Sequence, residues 1–187
     1  MRWVPLLFVA AFAGCIPSST FESDDEGWTL SGNGEDTRPE LQSSDGYPAG
    51  NLCGQDAYDQ DAWYFVAPPK YRGNQAAHYG SRLTFDLKQF TIYNQVKGRD
   101  VVLEGSSLRI SYNFRFTPGT DWTPYSIRLD DASGWVYDEL TQNAGAPVTA
   151  DDFRTLLGDV TILKIRGEFY DGPNDRACLD NVYFGRD

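Results

Sequence analysis

Hydrophobic side chains recur at every second position along much of the chain, which is the spacing of a β-strand with one buried face. The clearest run extends from Leu108 to Phe116, where five apolar residues alternate with four polar ones. We predict a strand here whose polar row faces water. Its core-facing row would be Leu108, Ile110, Tyr112, Phe114 and Phe116.

The same alternation appears elsewhere, so further strands are expected. The predicted core positions are Leu83, Phe85 and Leu87; Tyr125, Ile127 and Leu129; and Leu163, Ile165 and Phe169. Shorter strands are predicted at residues 27–31, 63–66, 101–104, 135–137 and 179–184. Turn-forming pairs such as Pro118-Gly119 separate these segments. Because strands follow one another closely without intervening helices, the pattern predicts an all-β protein, an antiparallel β-sandwich.

One segment breaks the two-residue period. Thr149 can cap a helix through the backbone of Asp152, three residues on. The apolar face that follows consists of Phe153, Leu156 and Leu157. We therefore predict one short helix that covers an end of the sandwich, and we interpret the polar stretch at residues 31–50 as a long surface loop.

The first residues have the composition of a signal peptide. Arg2 supplies a positive charge, and residues 3–14 form an apolar run. That run is too short to cross a bilayer, which requires roughly 20 apolar residues. The tetrad Phe12-Ala13-Gly14-Cys15 resembles the bacterial lipobox, in which cleavage precedes a cysteine that carries a diacylglyceryl group. Phe12 departs from the usual Leu, Val or Ile.

The lipobox resemblance predicts a signal peptide at residues 1–14 and a lipid anchor on Cys15. A tether at residues 15–19 would join this anchor to one domain at residues 20–187, held at the outer membrane or cell surface. The alternative is ordinary cleavage after Ala13 and secretion of the product.

Cysteine number bears on the same question. The chain has three cysteines, an odd count for an exported protein. If Cys15 carries lipid, Cys53 and Cys178 remain as a possible disulfide, which an oxidising compartment permits.

Charge and residue types exclude several functions. The formal net charge is −11, and the basic residues are scattered, so we expect no binding to nucleic acid, which requires clustered Lys and Arg. His78 is the only histidine, and its neighbours give no nucleophile signature. Carboxylates are too abundant for one pair to indicate a glycosidase. We predict a protein without catalytic residues.

Several segments, taken in order, resemble the laminin B domain, also called laminin domain IV type A. They are Thr20–Trp28, Trp63–Pro68, Tyr79-Gly80 with Leu83–Lys88, Trp122–Tyr125, Gly134-Trp135, Asp152-Phe153, and Ile165–Tyr170 through Leu179–Val182. The resemblance covers about residues 20–187. It implies a jelly-roll-like sandwich akin to galactose-binding-like domains and carbohydrate-binding modules. The partners of laminin itself are not carried over, because here the domain follows a lipobox.

The resemblance also implies a structural calcium site. In related sandwiches a carboxylate near the first strand meets an aspartate of the last strand, and calcium prefers such oxygen ligands. The predicted ligands are Glu22, Asp24, Asp45 and Asp180. The alternative is that the first acidic residues form a solvated turn and Asp180 binds backbone groups.

Aromatic residues are the other candidate site, because sugars stack on such rings beside polar groups. The predicted ligand-binding residues are Trp63, Tyr71, Trp122 and Tyr125, with core packing as the alternative for each. We therefore predict a surface binding or adhesion module that recognises glycan or protein in the envelope or extracellular matrix. The alternative is a purely structural envelope component with no soluble ligand.

Overall fold

The computed structural model describes residues 16–32, 37–56, 62–138, 141, 143–170, 172 and 175–187. The predicted signal peptide and Cys15 lie outside the described residues, so both stay predictions. Within the described ranges, no helix is long and apolar enough to cross a membrane.

Strands dominate the described part of the chain. They are β1 (Ser18–Ser19), β2 (Thr29–Ser31), β3 (Glu40–Gln42), β4 (Asn51–Gln55), β5 (Tyr64–Val66), β6 (Arg82–Gln89), β7 (Val101–Gly105), β8 (Arg109–Tyr112), β9 (Thr123–Arg128), β10 (Val136–Tyr137), β11 (Val160–Arg166) and β12 (Arg176–Arg186). The helix α1 spans Ala150–Leu157, and single 3₁₀ turns lie at Pro69–Tyr71, Ala76–His78 and Asp131–Ser133.

The described strands form two six-stranded sheets with antiparallel pairing. The first sheet has the order β3-β4-β12-β6-β9, and β1 pairs with the C-terminal half of β12. The second has the order β10-β8-β7-β11-β5-β2. Apolar residues of both sheets and of α1 share one core. The predicted antiparallel β-sandwich with one short helix is confirmed.

Alternation predicted the core correctly in three segments. In β6, Leu83, Phe85 and Leu87 are at most 2% exposed, while the residues between them are partly exposed. The predicted apolar rows at β9 and β11 are buried as well. The helix is also confirmed, because Thr149 Oγ1 accepts a hydrogen bond from the backbone N–H of Asp152 at 3.2 Å.

Two strand predictions need correction. The run from Leu108 to Phe116 is a strand only as far as Tyr112, because the backbone N–H of Phe114 donates to the Asp100 carboxylate at 2.6 Å instead of to a strand. Phe116 is consequently 53% exposed. The predicted loop at residues 31–50 contains strand β3, and β4 follows it directly.

The two cysteines within the described residues are joined. Cys53 on β4 lies opposite Cys178 on β12, and their sulfurs form a disulfide with Cα atoms 4.0 Å apart. The predicted pairing is therefore confirmed. Both residues point away from the core, on the outer face of the first sheet.

Candidate functional site

A groove of about 570 Å³ crosses the outer face of the first sheet over β12, β6 and β9. A volume of this size is typical of small-ligand sites. The groove is lined by Tyr47, Pro48, Arg82, Thr84, Phe85, Asp86, Pro124, Tyr125, Ser126, Asn181, Tyr183, Arg186 and Asp187.

Strand β6 supplies the floor of the groove. Its apolar residues point into the core, so Arg82, Thr84 and Asp86 point outward. On the neighbouring strand β9, Ser126 lies opposite Thr84 and Pro124 lies opposite Asp86. Simple two-residue periodicity therefore places all five residues on the groove face.

Strand β12 reaches the groove through a first β-bulge. Asp180 pairs with β6, but the next residue of β12 to pair with it is Tyr183. Asn181 and Val182 together stand against one residue of β6, and Asn181 has a φ of 54°. The extra residue keeps Val182 in the core while Asp180, Asn181 and Tyr183 lie on the outer side.

A second bulge of β12 turns Arg186 toward the groove. Phe184 is buried, so regular alternation would direct Arg186 to the core as well. Gly185 is left out of the pairing with β6, and this returns Arg186 to the outer face. Gly185 has a φ of 105°, and a Cβ added there would lie 2.0 Å from His78 Nδ1. Only glycine fits this position without rearrangement.

A loop between β3 and β4, residues 43–50, forms the wall of the groove. The backbone N–H of Tyr47 donates to Asp180 Oδ2 at 3.0 Å. Asn181 Nδ2 donates to the carbonyl oxygen of Tyr47 at 2.7 Å. These bonds hold the loop against β12 and leave Tyr47 87% exposed, where its ring is available to a ligand.

The wall encloses the Asp180 carboxylate, which is 1% exposed. Burial raises the pKa of Asp180 to about 7, although hydrogen bonds from the backbone of Tyr47 and Asn181 oppose this shift. The negative charges of Asp86 and Glu22 raise the pKa further. Near neutral pH this carboxyl group is therefore partly protonated.

The four predicted calcium ligands do not converge. Asp24 Oδ1 accepts a hydrogen bond from the backbone N–H of Glu26 at 2.8 Å, and Asp45 Oδ2 pairs with Lys88 Nζ at 2.5 Å. Among the described residues, no three acidic, histidine or cysteine side chains are arranged to hold a metal ion. Calcium binding stays a prediction. A calcium-dependent rise in melting temperature would support it, and equal melting in EDTA and calcium would contradict it.

Three of the four predicted aromatic ligands belong to the hydrophobic core instead. Trp63 and Tyr71 are 0% exposed, so neither ring can stack on a sugar. Trp122 is half-buried, and its Nε1 donates to the Asp45 carbonyl of the groove wall. Tyr125 borders the groove but is only 3% exposed, because its ring stacks between two phenylalanines.

Sequence reasoning missed most of the groove. The outward row of β6 was visible as alternation, although nothing marked it as a site. Tyr183 and Arg186 carried no usable signal, since the two bulges that orient them are not encoded in any periodic pattern. Tyr47 lies in the stretch at residues 31–50, for which the sequence predicts a surface loop.

An antiparallel sandwich with an open groove of aromatic, amide and charged groups has the features of a ligand-binding module. The chain belongs to the laminin B (domain IV) family, whose model matches residues 64–185. It is 31% identical to laminin subunit gamma-1 of Danio rerio over 169 residues, which cover 88% of this chain. The chain spans about 10% of the length of that relative.

Solved structures agree with this fold. The L4b domain of human laminin alpha-2 has a TM-score of 0.70 at 13% identity, covering 92% of this chain and 98% of that one. A family 30 carbohydrate-binding module of a cellulosomal cellulase from Clostridium thermocellum has a TM-score of 0.53 at 15% identity, with 89% and 96% covered. The predicted laminin B and carbohydrate-binding-like fold is thereby confirmed.

Proposed function

We propose that the chain is an exported, non-catalytic module whose groove on the first sheet binds a saccharide. One observation carries the proposal: an exposed aromatic ring, a partly exposed one and groups that hydrogen-bond to hydroxyls lie together in the groove. Tyr47 and Tyr183 supply the rings, while Asp86 and Asn181 supply the polar atoms. Sugars bind in proteins through this combination of stacking and directed hydrogen bonds.

The polar groups are held in place before any ligand arrives. Asn181 Nδ2 donates both to Asp86 Oδ2, at 3.0 Å, and to the carbonyl oxygen of Tyr47, at 2.7 Å. Because both N–H groups of the amide are used, Asn181 offers its carbonyl oxygen to a ligand. The Asp86 carboxylate and the Asn181 side-chain carbonyl oxygen are therefore held in place as acceptors. Because they are already ordered, less conformational entropy is lost when a ligand binds.

Similarity supports a binding role of this kind. The chain shares its fold with a family 30 carbohydrate-binding module. It also belongs to a family found in laminin subunits. Partners of those proteins are not implied for this chain, which is much shorter.

A glycan array with the full chain, purified in mild detergent, tests the proposal. We expect binding to a restricted set of saccharides, and we expect Tyr183→Ala to weaken it up to about tenfold through loss of stacking. Tyr93→Ala is the matched control, since Tyr93 is 71% exposed and does not line the groove. Binding to no saccharide, or equal binding by Tyr183→Ala, would contradict the proposal and favour a purely structural envelope component.

We further propose that lipid on Cys15 anchors the chain to a membrane. The lipobox resemblance motivates this, and the Cys53–Cys178 disulfide supports it because it leaves Cys15 as the one remaining cysteine. Labelling of cells with a clickable fatty acid is the test. We expect Cys15-dependent labelling. Equal labelling of the wild type and Cys15→Ala, or none in either, would contradict the anchor.

A further inference from the structure

Three arginines form a row across the first sheet. Arg186 on β12 pairs with Arg82 on β6, and Arg82 pairs in turn with Arg128 on β9. All three lie on the outer face, since the neighbouring residues Leu83 and Ile127 are buried. Residues paired directly across strands have Cβ atoms about 4.5–5.5 Å apart. The row therefore places three arginine side chains next to one another.

Repulsion between the arginines of such a row destabilises the folded state unless negative groups compensate their charge. Like charges directly opposite each other destabilise a sheet. The chain has a net charge of −11, so carboxylates are abundant, yet only Arg128 of the three has a carboxylate partner among the described residues, Asp130 at 3.2 Å. Two arginines of the row therefore keep unneutralised charge.

The guanidinium groups of these two arginines also have N–H donors that are available to a ligand. Arg82 Nη1 donates to Ser126 Oγ at 3.1 Å, and the Arg186 guanidinium lies 4.6 Å from the centre of the Tyr183 ring. A guanidinium carries five N–H donors in a planar fork suited to a carboxylate. Both side chains line the groove, so these donors are accessible to a bound molecule.

The second bulge of β12, at Gly185, places Arg186 in this row. Arg186 faces the groove only because Gly185 is left out of the strand pairing, in a conformation that favours glycine. Bulges commonly reorient a side chain beside a binding site. The position of Arg186 thus depends on a specific backbone irregularity.

Charge is distributed unevenly along the groove. Asp86 lies four residues from Arg82 on the same face of β6, roughly 13 Å away at the usual rise of a strand. Asp187 also lines the groove, next to Arg186. A densely sulfated chain would bring negative charge close to these aspartates. A uronate chain has one carboxylate and several hydroxyls on each sugar, so it can place a carboxylate at the arginines and hydroxyls at Asp86.

We propose that the groove binds an acidic saccharide of the uronate type, with the sugar carboxylate on Arg82 and Arg186 and hydroxyl groups at Asp86 and Asn181. This assignment rests on the proposed saccharide function and narrows its ligand class.

Calorimetric titration of the full chain with trigalacturonate tests the assignment, because its methyl ester has the same backbone without the charge. We expect binding of the acid, at least about tenfold weaker binding of the ester, and a loss of affinity when salt is raised. Arg82→Gln and Arg186→Gln should each weaken acid binding roughly tenfold. Arg38→Gln is the control, because Arg38 is 82% exposed and outside the groove.

A stability measurement separates loss of binding from loss of fold. Without ligand, Arg82→Gln should melt no lower than the wild type, since it removes a like-charge neighbour. Equal affinity for acid and ester, or unchanged acid binding in both arginine variants, would overturn the assignment. If the chain binds neutral saccharides but not trigalacturonate, the assignment fails and the proposed function stands. If it binds no saccharide of either kind, both fail.

Discussion

At the scale of single residues, Asp180 connects the last strand to the wall of the groove. Its two carboxylate oxygens accept hydrogen bonds from the backbone of Tyr47 and Asn181, at 3.0 and 2.7 Å. Because burial raises its pKa to about 7, the folded protein holds a proton that the unfolded chain releases near the ordinary value of 3.8. The stabilising contribution of this proton is complete below about pH 4 and is lost as the pH rises through about 7.

This linkage predicts a pH-dependent difference between the wild type and Asp180→Asn. As the pH rises from 4.5 to 8, we expect the free energy of unfolding of the wild type to fall relative to that of the variant, which cannot ionise. Urea unfolding at several pH values is the measurement. Asp121→Asn provides a comparison for the loss of one exposed charge. A difference between wild type and Asp180→Asn that is constant with pH would contradict the predicted linkage.

Single residues also show how far the sequence can indicate the site. Arg82, Thr84 and Asp86 could be placed on an outer face from alternation alone, because β6 is regular. Side-chain chemistry, by contrast, predicts Trp63 and Tyr71 as ligands, although both rings fill the core. Residue type alone does not reveal whether a large ring is buried, and neither of these two rings lies within a strand whose alternation would show it.

At the scale of elements, β12 is the strand that makes the groove. It pairs with β4, β6 and β1, so both of its edges are occupied, and each of its bulges changes which side chains reach the outer face. The bulge at Gly185 depends on a left-handed backbone that side chains other than glycine rarely adopt.

Replacement of that glycine is therefore expected to damage both fold and site. Gly185→Ala should lower the free energy of unfolding by about 1–3 kcal/mol through backbone strain and contact with His78. Chemical denaturation measures this directly. Gly119→Ala is the matched control, because the nearest atom to an added Cβ there lies 3.8 Å away. Equal stability of the two variants would show that the bulge tolerates a side chain.

Elements were predictable where one face alone is buried. Strand β4 was missed because four of its five residues are buried: its inner face meets the core, and its outer face carries the disulfide. A strand covered on both sides has no alternation to detect. The end of β8 was equally hidden, since it depends on a hydrogen bond to Asp100, more than ten residues away in the chain.

At the scale of the whole molecule, the disulfide joins β4 to the central strand β12 of the first sheet through residues 125 positions apart. Closing so long a loop restricts the unfolded chain, for which entropy estimates give about 4–5 kcal/mol. Reduction should therefore lower the melting temperature markedly. Cys53→Ser with Cys178→Ser should melt like the reduced wild type and should not respond to reductant. Identical melting of oxidised and reduced protein would contradict this stabilisation.

A saccharide bound in the groove of the first sheet would change the chemical shifts of the surrounding amides, so NMR chemical-shift mapping locates its binding site. Amide spectra of the full chain in detergent would be recorded during titration with trigalacturonate and, separately, with the neutral cellotetraose. We predict that perturbed amides cluster on β6, β9 and the second half of β12, and in the loop at residues 43–50. Perturbations concentrated on the second sheet, or absent with both saccharides, would contradict saccharide binding in the groove.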